Sequence, residues 1–279
     1  MTWSFINDRF INEDEASLHI RDLSIQRGYG IFDFLKVQHG RPLFIEDHLD
    51  RFYFSADQMH LQLRHDRTEL KQVIESMLQK NNAEDCGIRI TLTGGYSGDG
   101  YQLAEPNLII SQHSVHAPSK ELFDKGIKLS THNFQRQLPT VKTIDYLMAI
   151  WMQPALKKNG TDDILYHNND VIRECPRANI FFVTADDKLI TPVANILRGV
   201  TRKKILSIAT DFMQVEERDI TIDELPDMKE AFITSTTKAV LPVQQVDEMI
   251  FPGRDVSARL LSLLRQLQAA STVAMAEKS

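Results

Sequence analysis

Cysteines and long apolar runs are scarce in this sequence. Its two cysteines, Cys86 and Cys175, are too few for a disulfide framework and lack the spacing of a metal site. No apolar run approaches the ~20 residues that a membrane-spanning helix needs, so we expect no membrane association. The N-terminal MTWSFINDRF has no basic segment followed by an apolar core. We therefore expect no secretory signal and a cytoplasmic protein.

An excess of basic residues is also missing. The formal net charge is −6, the pI is near 5.9, and lysine and arginine are scattered along the chain. This pattern excludes the basic surface that nucleic-acid binding requires. The remaining composition, 42% hydrophobic and 25% charged residues, is that of an ordinary soluble globular protein.

Strand-like and helix-like segments follow one another without the regular alternation of a doubly wound sheet. Apolar residues at helical spacing predict helices over 46–60, 67–80, 143–158 and 256–270 and another that starts near Thr201, while short alternating runs predict strands elsewhere. The aperiodic segment SQHSVHAPSK separates the two halves. We predict an α+β protein with a smaller N-terminal domain over 1–112, a linker over 113–119 and a larger C-terminal domain over 120–279.

The segment PTVKTIDYL places Lys142 among apolar residues. A buried ammonium is costly unless it is paired or neutral. Lys142 is therefore either a surface lysine whose stem covers apolar neighbours or an amine kept for chemistry. The segment alone favours the first interpretation.

A carboxylate and two hydroxyl-rich turns add to this pattern. Glu174, near the end of the predicted strand VIREC, faces either a polar cavity or solvent, and Arg173 alternates to the opposite face. In LRGVTR, Thr201 opens a helix whose free N–H groups suit a phosphate, unless it is an ordinary N-cap.

The stretch FITSTTKAV ends an apolar strand in consecutive hydroxyls that include Thr236 and Thr237. They form either part of a phosphate cup or a plain turn. Arg51, on the helix over 46–60, supplies a fixed positive charge suited to oxyanions. An amine, a carboxylate, two candidate phosphate loops and an arginine match the needs of pyridoxal phosphate.

Five motifs in this order resemble the class IV, or fold type IV, pyridoxal-phosphate aminotransferases over nearly the whole chain. They are RGYGIFDFLKVQHGRPLFIEDHLDRFYFSA, VKTIDYL, DDILYHNNDVIRECPRANIFFV, LRGVTR and ITSTTKAVLPV. The resemblance implies a two-domain fold like that of D-amino acid aminotransferase, with the cofactor pyridoxal 5′-phosphate at the domain interface. It also implies a homodimer that acts on an amino acid and a 2-oxo acid.

The resemblance assigns roles to individual residues. Lys142 corresponds to the Schiff-base lysine that shuttles the proton. Glu174 corresponds to the partner of the pyridine nitrogen, and Tyr146 to a cofactor-contacting tyrosine. The phosphate ligands implied by position are Arg51, the backbone of Val200 and Thr201, and the hydroxyls of Thr236 and Thr237.

The motifs disagree about the substrate. Arg89 lies where branched-chain aminotransferases carry an arginine for the carboxylate of the glutamate or 2-oxoglutarate partner, but Gly87 replaces the tyrosine usual two residues earlier. Tyr29 and Arg27 are further candidates for the pocket. We predict a branched-chain-like transaminase. The alternatives are a D-amino acid aminotransferase, which TSTT resembles, and a pyruvate-releasing aminodeoxychorismate lyase, which KTID and GYSGDGY resemble.

Overall fold

The computed structural model describes residues 1–276, which form two compact units. The first unit contains Met1–Val115, Val141–Asp145 and the C-terminal end from Ser271, and the second contains His116–Thr140 and Tyr146–Ala270. The chain thus returns twice to the first unit, whereas each predicted domain is one continuous range. The last three residues of the predicted domain over 120–279 lie outside the described residues.

The first unit is built on a six-stranded antiparallel sheet in the order β2-β1-β6-β5-β3-β4. Its elements are β1 (Trp3–Ile6), β2 (Arg9–Asn12), α1 (Leu23–Arg27), β3 (Gly30–Gln38), β4 (Arg41–Pro42), α2 (Ile45–Gln58), α3 (Arg67–Asn81), β5 (Cys86–Thr93) and β6 (Leu108–His113). Helix α3 begins with a capping box, because Asp66 and Glu69 each accept a hydrogen bond from the other's backbone N–H.

Alternation along β3 decides which side chains of this sheet enter the core. Ile31, Leu35 and Val37 point to the face that α2 and α3 cover, and all three are buried in one apolar cluster with Leu49 and Phe52 of α2. The same phase carries one carboxylate, that of Asp33, which is also fully buried. A buried acid among apolar side chains is costly unless it is paired, so Asp33 requires a specific partner.

The second unit contains a nine-stranded mixed sheet in the order β12-β11-β10-β13-β14-β7-β8-β9, with β15 paired to β14. Its elements are α4 (Lys120–Lys125), β7 (Ile127–Asn133), α5 (Leu147–Asn159), β8 (Asp163–Asn168), β9 (Val171–Ile172), β10 (Asn179–Thr184), β11 (Leu189–Thr191), α6 (Val200–Ala209), β12 (Val215–Glu217), β13 (Met228–Ser235), β14 (Ala239–Val246), β15 (Met249–Ile250) and α7 (Asp255–Ala276). The mixture of parallel and antiparallel pairs confirms the predicted α+β class.

Helix α5 differs from its prediction at the start. It begins at Leu147 rather than at Thr143, because Thr143 forms a β-bridge with Ile31 of β3. Its end is as predicted, with Gly160 in the left-handed conformation that closes a helix. Within the described chain, no helix is long and apolar enough to cross a membrane.

Candidate active site

Lys142 lies in Val141–Asp145, the short segment from the middle of the chain that belongs to the first unit. Its carbonyl oxygen accepts a hydrogen bond from the Phe32 N–H at 2.9 Å, and the Ile144 N–H donates to the Gly30 carbonyl at 3.0 Å. The Lys142 N–H donates to the buried hydroxyl of Ser55 on α2 at 3.3 Å. Backbone bonds on both sides of the residue therefore fix where its side chain starts.

The Lys142 side chain is half-buried, and its Nζ atom lies 4.5 Å from the centroid of the Phe32 ring. An ammonium beside an aromatic face is held by the ring quadrupole rather than by a counter-ion alone. Neither sequence-based interpretation of Lys142 is therefore complete, since the stem covers apolar surface and the amine has a defined position.

Three residues that were not predicted from sequence contact Arg51 or the Lys142 backbone. Asp33 accepts two hydrogen bonds from Arg51, from Nε to Oδ2 and from Nη2 to Oδ1, each at 2.8 Å. His48 lies one helical turn before Arg51, and its Nδ1 is 2.7 Å from Asp33 Oδ1. The hydroxyl of Ser55 completes the set through the Lys142 backbone. Two features of the sequence could have indicated these residues. Asp33 is an acid at a core-facing position of β3, and His48 and Arg51 lie three residues apart on α2.

Burial and neighbouring charge act in opposite directions on Asp33. Burial raises the pKa of its carboxyl, but the Arg51 guanidinium and His48 outweigh burial and hold that pKa well below its usual range. For His48, burial is the main cause of a lowered pKa, and the charges of Arg51 and Lys142 lower it further against the opposing effect of Asp33. This cluster therefore holds an ionised Asp33 and a neutral His48 near pH 7.

Arg51 is the residue that the resemblance assigns to the cofactor phosphate. Two of its three guanidinium nitrogens are bound by Asp33, which leaves Nη1 without a partner in the described part of the chain. A bidentate pair fixes the plane of the guanidinium, and the third nitrogen is then presented in one direction. This geometry suits an oxyanion ligand.

Glu174 lies in the second unit and is buried. Its Oε1 accepts from Arg136 Nη1 at 3.1 Å, and its Oε2 accepts from the Leu197 N–H at 3.0 Å and from Asn179 Nδ2 at 3.5 Å. Of the two orientations left open by the sequence, the buried one is observed. Arg136 was missed, and no local pattern links it to a residue 38 positions away.

Arg173 and Glu174 are both buried, and alternation alone does not predict this. Strand β9 ends at Ile172, so strict alternation stops before either residue. Arg173 donates to the Ala194 carbonyl and to Asp219, while Glu174 has the separate partners described above.

Helix α6 starts at Gly199 without a side-chain cap, and Thr201 is inside the helix rather than at its N-cap. The ordinary N-cap interpretation of Thr201 is therefore wrong. A Cβ atom added at Gly199 would lie 2.2 Å from Asn179 Oδ1, so a larger residue here would displace the Asn179 side chain. Asn179 also donates to the Leu197 carbonyl at 2.7 Å and so fixes the approach to the helix. The first N–H groups of α6, with its dipole, form a ready anion site.

The β13–β14 turn carries the predicted hydroxyls close to the same asparagine. Asn179 pairs with Thr234 in the register of β10 and β13, and the turn over 235–238 follows immediately. Ser235 accepts from the Lys238 N–H at 3.1 Å. Thr236 is half-buried and Thr237 exposed, and the buried Thr234 hydroxyl has no partner among the described residues. The unit therefore gathers Glu174, the α6 start and this turn around Asn179.

The remaining predicted residues have different surroundings. The Arg89 guanidinium stacks on the Phe32 ring at 3.9 Å, so Arg89 and Lys142 contact the same ring. The Tyr29 hydroxyl donates to the Met59 carbonyl at 2.8 Å, and its ring packs against the core. Arg27 is exposed at the end of α1, and Tyr146 precedes α5 in the second unit.

These residues fit pyridoxal 5′-phosphate. An uncapped helix start beside an unpartnered buried hydroxyl suits a phosphate, and a buried carboxylate paired with an arginine suits a protonated ring nitrogen. Lys142 provides an amine at a defined position beside the Phe32 ring.

Comparison with known proteins agrees with this chemistry. Residues 30–246 match the family model described as amino-transferase class IV. A D-alanine aminotransferase of Staphylococcus epidermidis is 26% identical over 275 residues, which is 96% of each chain. A Legionella pneumophila structure described as a 4-amino-4-deoxychorismate lyase has a TM-score of 0.83 and 26% identity, and the match covers 91% of this chain and 97% of that one.

The fold is also that of branched-chain aminotransferases. The branched-chain amino acid aminotransferase of Escherichia coli has a TM-score of 0.89 at 21% identity, and the match covers 96% of this chain and 94% of that one. The chain belongs to the class IV aminotransferase family. It is a two-domain fold type IV enzyme, and its cofactor is pyridoxal 5′-phosphate.

Proposed function

We propose that this enzyme transfers the amino group of an amino acid to a 2-oxo acid, with an apolar, branched-chain-like amino acid as the donor. The observation that carries the proposal is the Phe32 ring, which contacts both the Lys142 amine at 4.5 Å and the Arg89 guanidinium at 3.9 Å. One ring thereby aligns a base with a carboxylate-binding cation. An amino acid needs both groups, the first at its α-carbon and the second at its carboxylate.

Gly87 does not remove the aromatic character of the proposed pocket. A Cβ atom at Gly87 would lie 2.1 Å from Phe34 Cζ, so the Phe34 ring fills the space that a larger residue 87 would take. Phe34 pairs with Arg89 in the register of β3 and β5. An aromatic surface beside the arginine therefore persists, and it suits an apolar side chain.

Each residue has a defined task in the proposed mechanism. The bound cofactor supplies the electron sink that makes the α-proton of the substrate acidic. Lys142, as the neutral amine, removes that proton and later returns it. Glu174, which pairs with Arg136 at 3.1 Å, would hold the proton on the ring nitrogen of the bound cofactor.

We expect the cofactor phosphate to be bound by both side-chain and backbone donors. We assign it to Arg51, to the N–H groups of Val200 and Thr201 and to the hydroxyls of Thr236 and Thr237. Tyr146 remains a predicted cofactor contact. Among the substrate candidates Arg89 comes first, since the Tyr29 hydroxyl is already bonded to the Met59 carbonyl. Arg27 remains a prediction.

A D-amino acid aminotransferase is the second candidate, because full-length relatives carry the name D-alanine aminotransferase. The test is a panel of L- and D-forms of leucine, valine, alanine and glutamate, with 2-oxoglutarate or pyruvate as acceptor. Turnover of L-leucine and L-valine supports the first proposal. Turnover of the D-forms alone replaces it with the second, and pyruvate release from aminodeoxychorismate without an acceptor replaces both with the lyase.

Replacing Arg89 with alanine is expected to raise the KM for the amino donor about 10- to 100-fold and to change kcat less, because a charge-assisted hydrogen bond to the carboxylate is lost. Steady-state kinetics on the panel measures both constants. Lys36→Ala is the matched control, since it removes a cation from the same strand pair, where Lys36 lies opposite Gly87. Equal KM values for the Arg89 variant and the wild type would remove Arg89 from the carboxylate site.

We also propose a homodimer. One face of α5 exposes Leu147, Ile150 and Trp151, which are 77%, 61% and 68% accessible in the single chain. Their spacing places them on one helical stripe. Apolar patches of this kind mark surfaces that another protein covers. A cytoplasmic location stays a prediction.

The substitution Trp151→Glu is expected to shift the protein toward monomers, because it places a charge in the centre of this apolar stripe. Light scattering after size exclusion gives the mass directly. Lys157→Glu, at an exposed position near the end of the same helix, is the control and should leave the mass unchanged. A Trp151 variant with the mass of the wild type would exclude this stripe from the dimer contact.

A further inference from the structure

A groove in the second unit lies apart from the residues assigned to the cofactor. It has a volume of about 990 Å³ and runs between α4 and α7 over part of β14. Its walls are mostly apolar and include Phe123, Pro242 and Leu261. A cleft of this size is within the range of small-molecule sites.

The groove is long rather than round. Its lining residues on α7 recur at every turn from Ser257 to Ala269, which corresponds to about 18 Å along the helix axis. Small side chains on that face, such as Ala258 and Ser262, leave the apolar floor open to solvent. An extended hydrocarbon chain fits this shape better than a compact ring does.

The charge of the groove is positive in a chain whose formal net charge is −6. Its lining contains three cations, Lys120, Arg254 and Arg265, and one acid, Asp124. Lys120 and Asp124 pair with each other at 3.5 Å. The two guanidinium groups are therefore the uncompensated charges of the lining.

Neither guanidinium has a carboxylate at ion-pair distance among the residues that the structure describes. Arg254 donates to the carbonyls of Phe251 and Gly253 at 2.8 and 2.6 Å, and its buried Nε atom has no partner there. Arg265 stacks on the Phe123 ring at 5.8 Å. Burial lowers the pKa of Arg254, and Glu230 opposes this effect.

Glu230 does not neutralise the groove by a direct bond. Its carboxylate accepts from the N–H groups of Val256 and Ser257 and so caps the start of α7. These two N–H groups at the start of α7 are therefore already bonded to Glu230. The attraction for an anion therefore comes from the side chains of Arg254 and Arg265.

We propose that this groove binds a long-chain carboxylate, with the hydrocarbon chain on the apolar floor along α7 and the carboxylate on Arg265. An apolar chain with one anionic end matches both the shape and the charge of the lining. The site is separate from the transamination chemistry. Its failure would leave the family assignment and the proposed function unaffected.

The experiment is isothermal titration of the holoenzyme with dodecanoate below its micelle concentration. Saturable binding is expected, and decyltrimethylammonium, which has a similar chain and the opposite charge, is expected not to bind. Arg265→Gln should weaken dodecanoate binding about tenfold, since a hydrogen bond to a charged group is lost. Ser262→Trp should abolish binding by filling the groove.

Arg259→Gln is the matched control, because Arg259 lies on α7 but stacks on Phe212 and does not line the groove. It should bind dodecanoate as the wild type does, and all three variants should keep the transamination rate. The proposal is overturned if dodecanoate does not saturate. It is also overturned if the cationic amphiphile binds equally well, or if the Arg265 and Ser262 variants bind as the wild type does.

Discussion

The variant Lys142→Ala is expected to lose transamination by a factor of about 10²–10⁴ or more, because a positioned general base contributes that much to a proton transfer. The backbone around residue 142 should remain in place, since its bonds to Phe32 and Ser55 involve main-chain atoms of residue 142 only. Cofactor should still bind through the donors at Glu174 and the α6 start. Steady-state rates and cofactor content, measured on the same preparation, separate loss of chemistry from loss of binding.

Two further measurements test whether the Lys142 amine is the base. Lys142→Arg keeps a cation beside the Phe32 ring but cannot supply a neutral amine, so it should be as inactive as the alanine variant. Added methylamine should restore part of the turnover of Lys142→Ala, because a free amine can act as the base in the space that the side chain leaves. Retained activity in either variant without added amine would show that another group moves the proton.

The variant Asp33→Asn is expected to lower the free energy of unfolding by about 3 kcal/mol, because removing one partner of a buried pair leaves the Arg51 charge uncompensated. Asp33 is fully buried, and its two bonds to Arg51 are both 2.8 Å long. Urea unfolding of the variant and the wild type measures the difference. The double variant Asp33→Asn/Arg51→Met should recover much of the loss, since both charges are then absent.

This pair also predicts the direction of acid sensitivity. The folded-state pKa of Asp33 is lowered, so its stabilising contribution is complete above the unfolded value of about 3.9 and is lost as the pH falls below it. The wild type should therefore lose more stability than Asp33→Asn as the pH falls from about 4 toward the lowered folded-state pKa of Asp33. Parallel pH profiles for the two proteins would exclude Asp33 from the acid-sensitive set.

Much of the local structure could be predicted from sequence because its causes are local. The apolar stripe of α2, the Asp66 cap of α3 and the glycine that ends α5 each act within a few residues. Lys142, Glu174 and the α6 start could be selected only when their motifs occurred in a known order. Their chemistry followed from the resemblance rather than from any single segment.

The sequence by itself determined the α+β class and the order of the motifs that identify the family. Tertiary structure alone decided that Asp33 binds Arg51, that Arg136 binds Glu174 and that Asn179 fits against Gly199. The reason is that burial and charge pairing depend on distance in space. Two of these pairs join residues 18 and 38 positions apart, beyond the reach of any local pattern.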